Sequence, residues 1–249
     1  MSFLDGRPPR IIAHRGLALE APENTLLAFA RALTAGATHV ETDIQASADG
    51  VAVIAHDPDL ARVAGRSVPV AQLTMPELRR IELGHGQGFC SLAEALDAFP
   101  QARFNIDVKD ARAAAPAVDV IRAARATDRV LITSFSSERR KAVTDQLPGV
   151  ASSPAVSEFV PVLLGAKTGV NPAVRHALRG FVAVQVPERR GPLRIVTRLT
   201  VDRIHAAGAE VHVWTVNEPN DVIRLLDLGV DGIVTDRCDI VRRVVDARR

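Results

Sequence analysis

The chain has 249 residues, a net charge of +2 and a hydrophobic content of 47%, enough to bury one sizeable core. Its basic residues are scattered and it has eight Phe, one Trp and no Tyr, which argues against nucleic-acid binding. The N-terminal MSFLDGRPPR has no apolar signal core and no later segment reaches roughly eighteen uninterrupted apolar residues, so a cytoplasmic chain with no transmembrane segment is expected.

Cys90 and Cys238 lie far apart in a chain without a signal peptide and are expected as free thiols. No Pro/Gly/Ser-rich linker or block of like charge divides the sequence, so residues 1–249 read as a single domain.

A buried strand is expected at Arg10 to Ala13, ending in His14-Arg15-Gly16. Pro22-Glu23-Asn24-Thr25 opens a helix that runs to about Ala35, with Asn24 or Thr25 as its N-cap and Gly36 as its stop. Val40 to Gln45 and Val51 to Ala55 flank the turn signal Ala-Asp-Gly and read as a hairpin. Side chains alternate on a strand, so Glu41 and Asp43 share one face and His56 returns beside Glu41. Two carboxylates about 5 Å apart repel by roughly 3 kcal/mol at an effective dielectric of about 20, so a positive group is expected between them.

From Pro58 to Gly88 the pattern weakens, which marks a short insertion, with a small helix after Thr74-Met75-Pro76-Glu77. Ser91-Leu92-Ala93-Glu94 is a capping box. Arg103 to Lys109 is a strand whose Asn105, Asp107 and Lys109 share a face. A helix over about 113–125, a strand at Val130 to Thr133 and a helix over about 137–146 follow. Next come a weak strand near Val150, a segment of helical character from Pro154 to Gly165 and a strand at Phe181 to Val186. The chain ends with a helix at Val201 to Ala207, a strand at Val211 to Val216 carrying Trp214, a helix at Pro219 to Leu228, a strand at Gly232 to Val234 and a last helix.

Eight strands, each followed by helix-like sequence, predict a TIM (β/α)8 barrel, with the 51–56 run as a hairpin excursion after the second barrel strand. The competing architecture is a doubly wound open sheet, but no GxGxxG follows any strand. Chemistry in a barrel sits where its strands end, and His14, Glu41, Asp43, Asp107, Lys109 and Trp214 lie at or near such ends.

Glu41, Asp43 and Asp107 offer only oxygen donors, which suits a hard cation such as Mg²⁺ or Ca²⁺; the alternative is salt bridging to Arg15 and Lys109. His14 and His56 flank these acids and suit a general acid and a general base. His39, His85, His176, His205 and His212 read as structural. Arg15 and Lys109 suit an anionic substrate oxygen, or plain charge balance, and Trp214 is either core or pocket wall. Cations with paired histidines point to phosphoryl chemistry on an ester.

The segments IAHRG at 12–16, APENTLLAF at 21–29, GATHVETDIQASADGVAVIAHD at 36–57, NIDVK at 105–109 and VWTVNEPNDVIRLLDLGVDGIVTD at 213–236 resemble the glycerophosphodiester phosphodiesterase family. The resemblance implies a metal-dependent barrel enzyme that converts a small-molecule glycerophosphodiester into sn-glycerol 3-phosphate and an alcohol. In that reading His14 and His56 are acid and base, Arg15 and Lys109 hold the phosphate, Trp214 walls the substrate pocket, and Glu41, Asp43 and Asp107 bind the cation. Asp107 stands where the family usually has Glu, one methylene longer. Related barrels share this layout and cleave lysophospholipid or sphingolipid phosphodiesters, a competing reading for which the sequence offers no exposed apolar stripe. A barrel that binds phosphodiesters without turnover is the non-enzyme alternative.

Overall fold

The computed structural model describes residues 2–248. Eight parallel strands form the core: β1 (Arg10–His14), β2 (His39–Ala46), β3 (Phe104–Val108), β4 (Val130–Thr133), β5 (Ala151–Ser152), β6 (Ala183–Pro187), β7 (Glu210–Trp214) and β8 (Gly232–Thr235). Pairing runs β5-β4-β3-β2-β1-β8-β7-β6, and Val182 N donates to Ser152 O at 3.1 Å across the remaining seam. This is the nearly closed TIM barrel that the strand count predicts.

Alternation along the strands explains both layers. On β2, Val40 and Ile44 face outward into a helix-packed cluster with Phe104, Ile106 and Val108 of β3, while Glu41 and Asp43 face the barrel's cavity with Asn105 and Asp107. Parallel register sets Glu41 beside Asn105 and Asp43 beside Asp107. A second outer cluster holds Ile11 and Ala13 of β1, Val211 and Val213 of β7 and Ile233 of β8.

The base of the barrel is closed by the N-terminal strap. Phe3 is fully buried and packs edge-on against His39 at 4.6 Å between ring centroids. Its carbonyl must accept from His39 Nε2 at 2.8 Å, which fixes that proton on the ring. Arg10 bonds the carbonyls of Leu4, Asp5 and Gly6 and pairs with Glu210 at 2.9 Å; Glu210 in turn lies 3.0 Å from His212. Gly232 makes room for this layer, since a Cβ there would stand 2.5 Å from His212 Cδ2.

Several details depart from the sequence reading. Strand β1 takes in His14, and Lys109 lies just past β3. Ala52–Ile54 does pair antiparallel with β2. Ala55 N donates to Asp43 O at 3.0 Å, however, so His56 comes level with Thr42, one residue short of Glu41. The 58–88 excursion folds on a small core of its own around Leu60, Val70, Met75, Leu78 and Phe89. A helix at Asn171–Ala177 and a two-stranded hairpin at Arg189–Arg190 and Leu193–Arg194 are additional. Cys90 and Cys238 are both free and buried, as expected.

Candidate active site

The His14-Arg15-Gly16 turn shapes one side of the site. Arg15 has φ +56 and Gly16 φ +84, and a Cβ on Gly16 would meet the Ala28 backbone at 2.7 Å. Only glycine lets the chain turn here against the helix Leu26–Thr34. The turn delivers the Arg15 backbone N–H to Glu41 Oε2 at 3.1 Å and the guanidinium to Glu23 at 3.0 Å. Arg15 Nε lies 3.4 Å from Asp43 Oδ2, an ion-pair distance without a hydrogen bond.

His14, Arg15, Glu41, Asp43, His56, Asp107, Lys109 and Trp214, all eight residues singled out from the sequence, line one cavity of about 660 Å³ at the C-terminal ends of the strands. Trp214 is therefore pocket wall rather than core, and its ring stands edge-on to Phe135 at 6.0 Å. His39 and His212 are buried at the barrel base, and His205 pairs with Asp231 at 2.6 Å. Those three belong to the scaffold, and His85 and His176 line no part of the cavity.

Both cavity histidines are held in the same way. His14 Nδ1 lies 2.7 Å from Asp236 Oδ1, and Asn217 Nδ2 donates to the other oxygen at 2.8 Å. His56 Nδ1 lies 2.7 Å from Asp57 Oδ1, and Arg62 Nε donates to Asp57 Oδ2 at 2.6 Å. The hydrogen bond from His14 holds Asp236 below the usual carboxylate range despite burial, and Asp57 is lowered by His56 and Arg62 against its own burial. Both aspartates are thus ionised acceptors, each ring donates through Nδ1, and Nε2 is left to meet a substrate. Burial of His14 disfavours its charged form, but Asp236 and Glu41 outweigh that and raise its pKa.

Sequence reasoning missed these partners. Asp57 adjoins His56 and could have been flagged from the His-Asp pair; Asp236 needs the barrel to close before it meets His14. Glu23 also emerges, joining Arg15 to Arg62 at 3.0 and 2.6 Å, so that the cavity-lining Arg15 and the His56 support share one network.

The acids are crowded. Lys109 Nζ lies 2.6 Å from Asp107 Oδ2 and 3.0 Å from Asp43 Oδ1, and Asn24 Nδ2 donates to Asp43 Oδ2 at 3.0 Å. Lys109 thus bridges Asp43 and Asp107 rather than the Glu41 and Asp43 pair between which a positive group is expected; Arg15 comes nearest to both of those, through its backbone N–H on Glu41 and its Nε 3.4 Å from Asp43. Lys109 is the cation closest to the crowded acids. It offsets the crowding only in part: burial and the Asp43 charge raise Glu41 well above the carboxylate range, and burial raises Asp107 against the pull of Lys109. Asp107 Oδ1 is buried without a hydrogen-bond partner. Among the described residues no three His, Cys, Asp or Glu side chains stand in metal-ligating geometry. The chemistry of the donors still fits a hard divalent cation: three neighbouring carboxylates, which outnumber the adjacent cations Arg15 and Lys109, and an orphaned oxygen.

The described chain has no helix long and apolar enough to cross a membrane. Residues 14–240 match the model of the glycerophosphoryl diester phosphodiesterase family. The chain is 41% identical to the protein named probable glycerophosphodiester phosphodiesterase 2 of Mycobacterium tuberculosis, over 95% of this chain and 90% of that one. It superposes on an Oleispira antarctica phosphodiesterase solved with its product sn-glycerol-3-phosphate, with a TM-score of 0.82 and 24% identity over 96% and 97% of the two chains. A glycerophosphodiester phosphodiesterase from Agrobacterium tumefaciens matches with a TM-score of 0.76 and 25% identity over 95% and 99%.

Proposed function

The chain belongs to the glycerophosphoryl diester phosphodiesterase family, and from that premise we propose that it hydrolyses glycerophosphodiesters to sn-glycerol 3-phosphate and an alcohol, with His14 and His56 transferring the protons. The observation that carries this reading is the pair of Asp-anchored histidines in one cavity, each with Nδ1 held at 2.7 Å. The product bound by the Oleispira protein is the one the reading requires.

Arg15 and Lys109 hold the phosphate oxygens, and the Trp214 ring walls the pocket beside them. One histidine accepts the proton of the glycerol hydroxyl adjacent to the phosphate as that oxygen bonds to phosphorus. The other protonates the leaving alkoxide as its P–O bond breaks. Water then opens the cyclic ester, with the two histidines in exchanged roles. Direct attack by water on phosphorus needs the same two proton transfers. Glu41, Asp43 and Asp107 would hold one divalent cation, Mg²⁺ or Ca²⁺, which supplies charge neutralisation at the phosphate when bound. Residues 1–249 act in this reading as one catalytic domain in the cytoplasm, with the 58–88 excursion as a modest lid.

The test is release of sn-glycerol 3-phosphate from glycerophosphocholine and glycerophosphoethanolamine by the wild type and by His14→Ala and His56→Ala. Each variant should fold and lose roughly 10²- to 10⁴-fold in rate. Near-wild-type turnover in either one removes its acid/base role. The lysophospholipid reading is favoured by one observation: Phe135, Val156 and Phe159 give the cavity an apolar flank. Faster turnover of lysophosphatidylcholine than of its deacylated counterpart would establish it.

A further inference from the structure

Nine large apolar side chains are exposed among the described residues; of these Phe135 and Val156 line the cavity, Val160 and Leu164 continue along the helix that Val156 begins, and Leu193 sits opposite the cavity-lining Arg190 in the hairpin. The helix Val156–Thr168 organises this edge. It begins in the cavity wall, to which Val156 and Phe159 contribute. It ends against the hairpin, where Lys167 Nζ donates to Arg194 O at 2.9 Å. Val156, Val160 and Leu164 recur every four residues, so they form one solvent-facing stripe, with Leu164 60% exposed. No such apolar stripe is expected from the sequence.

Cations border the stripe. Arg189 and Arg190 stand at the cavity mouth, and Arg194 and Lys167 meet at the far end. Among the described residues none of the four has an acidic partner, whereas the neighbouring acids Glu158 and Glu188 are taken by Arg140 and Arg224. A chain of net charge +2 therefore concentrates positive charge without acidic partners beside this exposed apolar row.

We infer that this edge docks on the surface of an anionic phospholipid bilayer. Apolar side chains flanked by Arg and Lys enter the headgroup layer while the cations meet lipid phosphates. A neutral protein partner would leave four cations unmatched. Docking would bring the cavity mouth against the bilayer, next to phosphodiesters released from it. The inference stands on this surface and not on the chemistry of the site, so loss of turnover would leave it untouched.

Co-sedimentation tests it, with vesicles of phosphatidylcholine alone and of phosphatidylcholine mixed with phosphatidylglycerol. The full chain should sediment with the mixed vesicles only, and less so as salt rises. Val160→Glu with Leu164→Glu, and separately Lys167→Glu with Arg194→Glu, should each cut partitioning by at least about tenfold. Both double variants should keep wild-type hydrolysis of glycerophosphocholine, which also reports that they fold. Failure to sediment with the mixed vesicles, equal sedimentation with both kinds of vesicle, or wild-type sedimentation of either double variant would overturn the inference. So would a concentration-dependent dimer in sedimentation velocity that Val160→Glu with Leu164→Glu dissolves, because the stripe would then be an interface between two copies of the chain.

Discussion

His14 and Asp236, 222 positions apart in the chain, share a hydrogen bond of 2.7 Å. The contact exists because β1 pairs with β8 in parallel, Ala13 beside Thr235, so the next residue of each, His14 and Asp236, emerge together at the mouth. The last strand of the barrel thereby orients an imidazole on the first.

Asp236→Asn should keep the shape of this contact and remove its charge. Asp236 raises the His14 pKa, so the neutral amide should move the His14 limb of the pH–rate profile to lower pH. Turnover should fall, by no more than the roughly 10²- to 10⁴-fold that His14 itself contributes, with KM little changed. A profile identical to wild type, measured as kcat against pH, would show that Asp236 only supports the fold.

Lys109 balances Asp43 and Asp107 at 3.0 and 2.6 Å, and the Asp43 side chain is almost wholly buried. Lys109→Met should lose roughly 3 kcal/mol in denaturant unfolding, because it leaves two buried carboxylates without their partner. Added Mg²⁺ or Ca²⁺ should restore part of that loss and raise the variant's Tm more than the wild type's. Equal responses of the two proteins would argue against a cation among these acids.

Glu210 lies at the opposite end of the barrel. Burial works against its charge, but hydrogen bonds from His212 and Arg10 bring its pKa down to about 2 from the ordinary 4.5. A depressed folded-state pKa gives stability that is present above about pH 4.5 and is lost as pH falls toward 2. With partial solvent screening this is on the order of 2 kcal/mol. The stability gap between wild type and Glu210→Gln should therefore shrink across that range in urea melts taken at successive pH values, and a constant gap would contradict the assignment.

Much of this was legible because strand alternation is a local rule. Glu41 and Asp43 share a face through their spacing alone, and so do Asn105 and Asp107; parallel pairing then brings the two sets side by side. The His14–Asp236 contact was not legible, since it depends on closure between the first and last strands. Nor was the stripe at Val156, Val160 and Leu164. Val162 and Ala166 on the same helix are buried, so apolar residues occur on both its faces and composition cannot say which one meets solvent. The hairpin at 189–194 escaped for a different reason: two residues per strand are too few to show a period.

The most direct measurement is sn-glycerol 3-phosphate release from glycerophosphocholine by wild type, His14→Ala and His56→Ala, before chelation, after it, and after Mg²⁺ or Ca²⁺ is restored. The account predicts wild-type turnover that vanishes on chelation and returns with one ion, and little turnover from either variant under any condition. Turnover that survives chelation would remove the cation from the account. A His14→Ala or His56→Ala enzyme working near the wild-type rate would contradict its central claim.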